Sequence, residues 1–235
     1  MFRCITGLGN RLCNLMNMFY LHSLYPTATI YIEWLLNHHC GATLADLIDL
    51  ADYPWIQSGP RPNALYAITS KQHRTRWDSP AEWAKHPIIV SVSHHLYAFV
   101  PLEYCRTKWA DLRFTPAVMV AVDHKVVTHG VGRDLLQFRQ GDLLVLSGGE
   151  ALIETYRGLR AQYPNALVSE YTQLVPDRPS HHVVDAMADI LFSRHCVLRC
   201  YSPYSWFSSW IYLLSDCFSN GPLFDPECVT IQCLG

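Results

Sequence analysis

Apolar positions along the chain follow two alternating rhythms. Short runs rich in β-branched and aromatic residues read as strands: Phe2-Arg3-Cys4-Ile5-Thr6, Thr29 to Trp34, Pro87 to Val92, Leu135 to Arg139, Ala166 to Ser169 and Cys196 to Cys200. Between them the spacing becomes helical. Leu12, Leu15, Met16, Phe19 and Tyr20 form one apolar stripe, stopped by Pro26, and Gly41 to Ile48 reads as a short helix. Thr115-Pro116 opens a helix with Thr as N-cap and Pro at the first helical position; it should end before Gly130. Further helices are expected over Glu150 to Tyr163, closed by Pro164, over Val183 to Ser193, and from Ser202 to about Ser215. Tyr53 to Lys85, rich in Pro, Ser and Arg, breaks the rhythm and reads as loops.

Alternating strands and helices predict an α/β protein with parallel sheets and helices on both faces. The opening strand-helix-strand should form a right-handed crossover. A boundary near Leu112 to Thr115 divides the chain into 1–113 and 114–235. Its 235 residues, 50% of them apolar, can bury a core. The net charge of −2 gives no nucleic-acid footprint. The apolar stretch around Trp206 to Leu214 falls short of the ~20 residues a membrane span needs, which leaves only peripheral membrane contact. Nine cysteines at irregular spacing, with a strand beginning at residue 2 rather than a signal peptide, lead us to expect reduced thiols in a soluble cytoplasmic protein. Seven Trp and thirteen Tyr fit either sugar- and base-stacking sites or large aromatic cores.

Three segments carry candidate chemistry. Thr6-Gly7-Leu8-Gly9-Asn10-Arg11-Leu12 follows the first strand, where Gly7 and Gly9 would allow a tight turn at positive φ. A strand-turn-helix of this kind aims backbone N–H groups and a positive helix end at one spot, suited to a phosphate. Asn10 and Arg11 stand at the helix entry, where a polar side chain can face a ligand. Cys13 occupies the place of the third Gly of a dinucleotide fingerprint, so a plain strand-to-helix turn is the competing reading. In Phe138-Arg139-Gln140-Gly141-Asp142 a strand ends in a guanidinium, the side chain best matched to bidentate phosphate contact; a surface Arg139–Asp142 pair is the alternative. In Tyr201-Ser202-Pro203-Tyr204-Ser205-Trp206, Ser202 can cap a helix whose leading amides, at Tyr204 and Ser205, face an anion, or can simply cap it.

Other signals are weaker. His38-His39-Cys40, His94-His95, His181-His182 and Cys196-x-x-x-Cys200 match no standard zinc spacing. Glu33, His38, Asp142 and Glu170 are candidate general bases, and His38 or His39 could meet an acceptor.

Together these segments resemble the fucosyltransferase superfamily, which includes alpha-1,2-, alpha-1,6- and protein O-fucosyltransferases. Gly7 to Leu12 is similar to its N-terminal Gly-Leu-Gly-Asn-Gln/Arg-Leu signature. Trp34, Asn37 and Cys40-Gly41 to Leu47 are similar to the segment after the second strand of its bacterial members. Gln137 to Asp142 is similar to its His-x-Arg-x-Gly-Asp motif, and Asp189 to Trp210 resembles its last βα unit, with Ser202 to Trp206 in place of Ser-Ser-Phe-Ser-Trp. The resemblance implies a GT-B-like fold of two Rossmann-like halves with a cleft between them. It implies an inverting, metal-independent glycosyltransferase that moves fucose from GDP-fucose to a glycan acceptor, with no resident cofactor. Carried over, Arg139 and Asn10 are the catalytic candidates. Gly7, Gly9, Arg139, Asp142, Ser202, Tyr204 and Ser205 are the donor-binding candidates.

The chain departs from the pattern at three places. Gln137 replaces the motif His, Pro203 replaces a Ser, and Ser169-Glu170 stands for Ser-Asp-Asp. Two alternatives follow: another nucleotide-sugar donor, or a non-catalytic nucleotide-sugar- or glycan-binding protein. The absence of a targeting segment and a cytosolic setting fit a bacterial or viral protein.

Overall fold

A computed structural model describes residues 2–27, 30–58, 66–68, 81, 89–91, 96, 99–139, 157–171, 178–200 and 205–217. These fall into two compact units, the first within Met1–Ala117 and Asp177–Val184, the second within Val118–Pro176 and Asp185–Gln232. The predicted α/β class with parallel sheets is what the chain adopts.

The first unit carries a five-stranded sheet of β1 (Phe2–Cys4), β2 (Ile30–Trp34), β3 (Ile56–Ser58), β4 (Tyr66–Ile68) and β5 (Ile89–Ser91), ordered β3-β2-β1-β5-β4. All pairs are parallel. Phe2, Cys4, Ile30 and Ile32 are buried at alternate positions, as sheet pleating requires. Helix α1 (Leu8–Leu24) connects β1 to β2 and buries Leu12, Leu15, Met16 and Phe19. Phe19 meets Tyr53 edge-on at 4.9 Å, and the Lys108 ammonium lies 4.6 Å from the Phe19 ring centroid. Lys108 belongs to α2 (Leu102–Asp111), whose buried residues are Cys105 and Trp109.

The second unit carries a four-stranded parallel sheet of β6 (Arg133–Arg139), β7 (Leu167–Tyr171), β8 (Cys196–Cys200) and β9 (Asp216–Cys217), ordered β7-β6-β8-β9. Leu136 is its fully buried centre, packed by Leu159, Tyr163, Ala166 and Val168. Helix α3 (Pro116–His129) leads into β6 through Gly130 and Gly132, whose φ of 78° and 70° favour glycine. Between β7 and β8 runs α4 (Ser180–Phe192), and α5 (Trp206–Leu214) follows β8. Lys125 of α3 reaches Asp185 at 2.8 Å and Asp189 at 2.9 Å on α4.

The structure corrects several local expectations. Tyr53 to Lys85 contains β3 and β4, and α2 is an additional helix. Gly41 to Ile48 holds only a single 3-10 turn, Leu44–Asp46. Thr43 caps it: its N–H donates to Asp46 Oδ2 at 2.7 Å and its Oγ1 accepts from Asp46 N at 3.1 Å. Helix α5 starts at Trp206, with Ser205 rather than Ser202 at its N-cap. Of the helix expected over Glu150 to Tyr163, residues 157–162 are described and are helical.

Candidate functional site

Parallel α/β sheets present ligands to the carboxyl ends of their strands. In the first unit that edge is the β1–α1 junction. Gly7 is the N-cap of α1 with φ −65° and ψ 165°, and Gly9 lies inside the helix. The expected positive-φ turn is therefore absent; among described residues only Gly130 and Gly132 have positive φ. Leu8 to Leu24 can start without one because an extended N-cap leads directly from strand into helix. Gly7 makes no side-chain cap, and the first turn of α1 holds no acidic residue, so the amides of that turn head a helix end of positive potential. Asn10 stands in this turn and is partly exposed; Gly9 is buried.

Arg11 does not face a ligand there. It is fully buried, and its Nε donates to Thr6 O at 2.5 Å. Its Nη2 donates to Leu35 O at 2.7 Å and to Asn37 Oδ1 at 3.3 Å. The guanidinium also lies over Trp34, 5.0 Å from the ring centroid. Asn37 completes the frame: its Nδ2 donates to Ile5 O at 2.7 Å, and its Oδ1 accepts from His39 N at 2.9 Å. Trp34 Nε1 donates to Ala42 O at 2.8 Å. The segments after β1 and β2 are thus tied together from beneath. Burial lowers the Arg11 pKa, and burial pushes the Cys4 thiol up to about 12.

The sequence reading missed Arg178. Its carbonyl accepts from Gly41 N at 2.8 Å, and Pro179 bridges Gly41 as an isolated parallel pair. A Cβ on Gly41 would collide with the Arg178 carbonyl oxygen and stand 3.1 Å from Pro179 Cα, so only glycine fits. The Arg178 side chain turns toward α1, with Nη1 3.6 Å from where a Gly7 Cβ would stand. The adjacent His39 has its pKa lowered, by desolvation first and then by His38, Arg178 and Arg11. Proline biases the residue before it toward extended backbone. That is the sole local sign of this docking; the partner, Gly41, lies far away in sequence.

In the second unit Arg139 is the last residue of β6, aligned with Tyr171 of β7. Ser205 follows β8, the other neighbour of β6, and caps α5 with φ −130° and ψ 123°. The chain therefore brings Arg139 and Ser205 to the carboxyl edge of one sheet. The amides heading α5 are those of Trp206, Phe207 and Ser208, not Tyr204 and Ser205, because the helix starts later than Pro203 implied. Ser209 donates backbone and hydroxyl hydrogens to Ser205 O, at 2.9 and 3.1 Å. Trp210 is core. Asp142, Ser202 and Tyr204 lie outside the described residues.

Of the candidate bases, Glu33 is engaged by Arg3 directly across β1 and β2, with Nε 2.9 Å from the carboxylate. His38 is exposed and its ring lies 3.8 Å from that of His39. Among the described residues no three His, Cys, Asp or Glu side chains form a group that could hold a metal ion. Cys4, Cys13, Cys40, Cys105 and Cys196 are buried free thiols. No helix among the described residues is long and apolar enough to cross a membrane.

No protein-family model matches the chain, and no curated protein matches it in sequence. Solved structures do. NodZ alpha-1,6-fucosyltransferase co-crystallized with GDP is similar at a TM-score of 0.62 and 15% identity, over 91% of this chain and 92% of that one. The same enzyme soaked with GDP-fucose gives 0.60 and 14% over the same shares. A single-residue mutant of Arabidopsis thaliana FUT1 in complex with GDP gives 0.50 and 12%, over 91% of this chain and 67% of that one. The chain has the fold of these fucosyltransferases, as the sequence resemblance implied.

Proposed function

We propose that the protein is an inverting, metal-independent glycosyltransferase that moves fucose from GDP-fucose to a glycan acceptor. The observation that carries this reading is the fold similarity to NodZ, solved with GDP and with GDP-fucose, over nine-tenths of the chain. The motif arginine, Arg139, ends the strand between β7 and β8. In this reading the chain is GT-B-like, with 1–113 as the acceptor side and 114–235 as the donor side, and it works in the cytoplasm.

In an inverting transfer the acceptor oxygen attacks the anomeric carbon as the bond from that carbon to the diphosphate breaks. Negative charge collects on the departing β-phosphate, and the acceptor proton leaves to a base. Arg139, with Asp142, Ser202, Tyr204 and Ser205 around it, would hold the diphosphate. A fixed guanidinium and helix-end amides stabilise that charge without a metal. Asn10, partly exposed in the first turn of α1 after Gly7, would line the reacting sugar.

Gln137 and Pro203 favour a second reading in which the sugar differs or transfer does not occur. GDP release from GDP-fucose, with GDP-mannose and UDP-sugars alongside, separates these in wild type and Arg139→Ala. Fucose-specific release lost in the variant supports the proposal. Release from another donor changes the sugar, and binding without release, acceptors included, leaves a binding protein.

A further inference from the structure

Beyond the carboxyl end of β2 the chain closes a tight turn over Asn37-His38-His39-Cys40. Asn37 N donates to Cys40 O at 3.2 Å, and Cys40 N donates to Asn37 O at 3.0 Å. His38 and His39 are its two central residues, and both are exposed. We infer that His39 takes the proton of the acceptor hydroxyl, and that Asn37 is the positioning residue that holds it in place. This rests on the function proposed above and deepens it.

The turn is built from beneath. Asn37 Oδ1 accepts from His39 N at 2.9 Å and from Cys40 N at 3.2 Å, closing the turn from the side chain as well as the backbone. The same carboxamide donates to Ile5 O at 2.7 Å and accepts from the buried Arg11. Beyond the turn, Ala42 O accepts from Trp34 Nε1 at 2.8 Å. Both ends are therefore pinned, and within the turn only the two imidazole-bearing residues are exposed. Its place agrees: it follows β2, the parallel neighbour of β1, at the sheet edge where ligands bind.

The chemistry agrees too. Of the titratable groups from Glu33 to Cys40, Glu33 is engaged by Arg3 and Cys40 is buried, which leaves the imidazoles to meet an acceptor. The choice falls on His39 because the Asn37 side chain holds its backbone N–H. The charged groups acting on it are His38 from its own turn, Arg178 from the segment before α4 and Arg11 from α1, with no carboxylate among them. Burial first, and then these three, lower its pKa from 6.5, so the imidazole is neutral at pH 7 and can accept a proton. In the step, the acceptor O–H bond breaks and its proton passes to an imidazole nitrogen. The acceptor oxygen bonds to the anomeric carbon, and the diphosphate leaves with the electron pair of the broken bond. The imidazolium then returns the proton to water.

The test is GDP release by the full chain from the donor that the wild type uses, with water, lactose and chitobiose as acceptor probes, across pH 5 to 9. His39→Ala is expected to lower kcat on the order of 10²-fold and to remove the fall in rate on the acid side. Added imidazole should restore part of the rate, and GDP binding by calorimetry should match wild type. Asn37→Ala should lower kcat without raising the donor KM. Asn37→Asp keeps the acceptor for His39 N–H and adds a negative charge, so it should recover rate with the acid limb moved to higher pH. Circular dichroism checks folding of each variant. If His39→Ala keeps kcat within about threefold of wild type, the inference fails and the proposed function stands. An acid limb in Asn37→Asp that coincides with wild type overturns the positioning role. A wild type that binds GDP and turns over no donor with any acceptor overturns both the transferase reading and this inference.

Discussion

The guanidinium of Arg11 lies over the indole of Trp34 with its Cζ 5.0 Å from the ring centroid, completely shielded from water. It also serves the carbonyls of Thr6 and Leu35 and the amide of Asn37. Arg11→Ala would take this donor from the half-buried Thr6 and Leu35 carbonyls, each a loss of about 1 to 3 kcal/mol, while Asn37 Oδ1 keeps the amides of His39 and Cys40. The expected total is about 3 to 5 kcal/mol, at the severe end for single substitutions. Urea unfolding measures it; a change below about 1 kcal/mol would show that Arg11 is not the tie between the two strand ends.

Gly41→Ala tests the close approach on the other side of this loop. The added methyl group meets backbone, which cannot rotate away. A loss of about 1 to 3 kcal/mol is expected, typical of overpacking. An unchanged melting temperature would mean that the segment at Arg178 can shift freely.

Lys125 holds two aspartates, Asp185 and Asp189, and is itself only 16% exposed. The two carboxylates raise its pKa despite the opposing effect of burial. Lys125→Met would leave the carboxylates repelling each other. Asp185 is largely exposed and Asp189 only partly so, and the expected loss at pH 7 is about 1 to 2 kcal/mol, below that of a fully buried pair. Asp189 already has a raised pKa, from burial, so acidification should relieve part of the defect by protonating it. A defect that grows as the pH falls from 7 to 5 would contradict this account.

Alkaline pH should unfold the protein selectively. Burial raises the thiols of Cys4 and Cys105 to about 12 and that of Cys196 to about 11, from an ordinary value near 9.0. Burial raises Tyr104 to about 12 as well. A raised folded-state pKa means that the folded protein keeps its proton where the unfolded chain loses it. Stability is therefore complete below about pH 9 and declines as the pH rises toward 11 to 12. The urea midpoint should fall across that window, and these thiols should resist iodoacetamide at pH 8 until the chain unfolds. Rapid alkylation of the native protein at Cys4 would refute the assignment.

Much of the fold was legible because it rests on long periodic signals. The stripe from Leu12 to Tyr20 and the strand at Leu135 to Arg139 fall within α1 and β6. Strands β3 and β4 span three residues each, too few for a period to register. Helix α2 buries only Cys105 and Trp109, a stripe too narrow to stand out. Arg11 was misread because arginine is normally a surface residue, and no local pattern announced that three acceptors and a tryptophan converge on it. At the second phosphate-facing turn, Pro203 favoured a helix start there, while the observed cap is Ser205. The seat of Arg178 on Gly41 joins residues from distant parts of the chain, a relation that a single sequence does not encode locally.

The first unit takes its described residues from Met1–Ala117 and from Asp177–Val184, with the second unit's strands β6 and β7 between them. During synthesis on a ribosome, the N-terminal sheet would emerge long before the piece that seats on Gly41. The α1 entry would wait, without Arg178, until most of the chain had been translated.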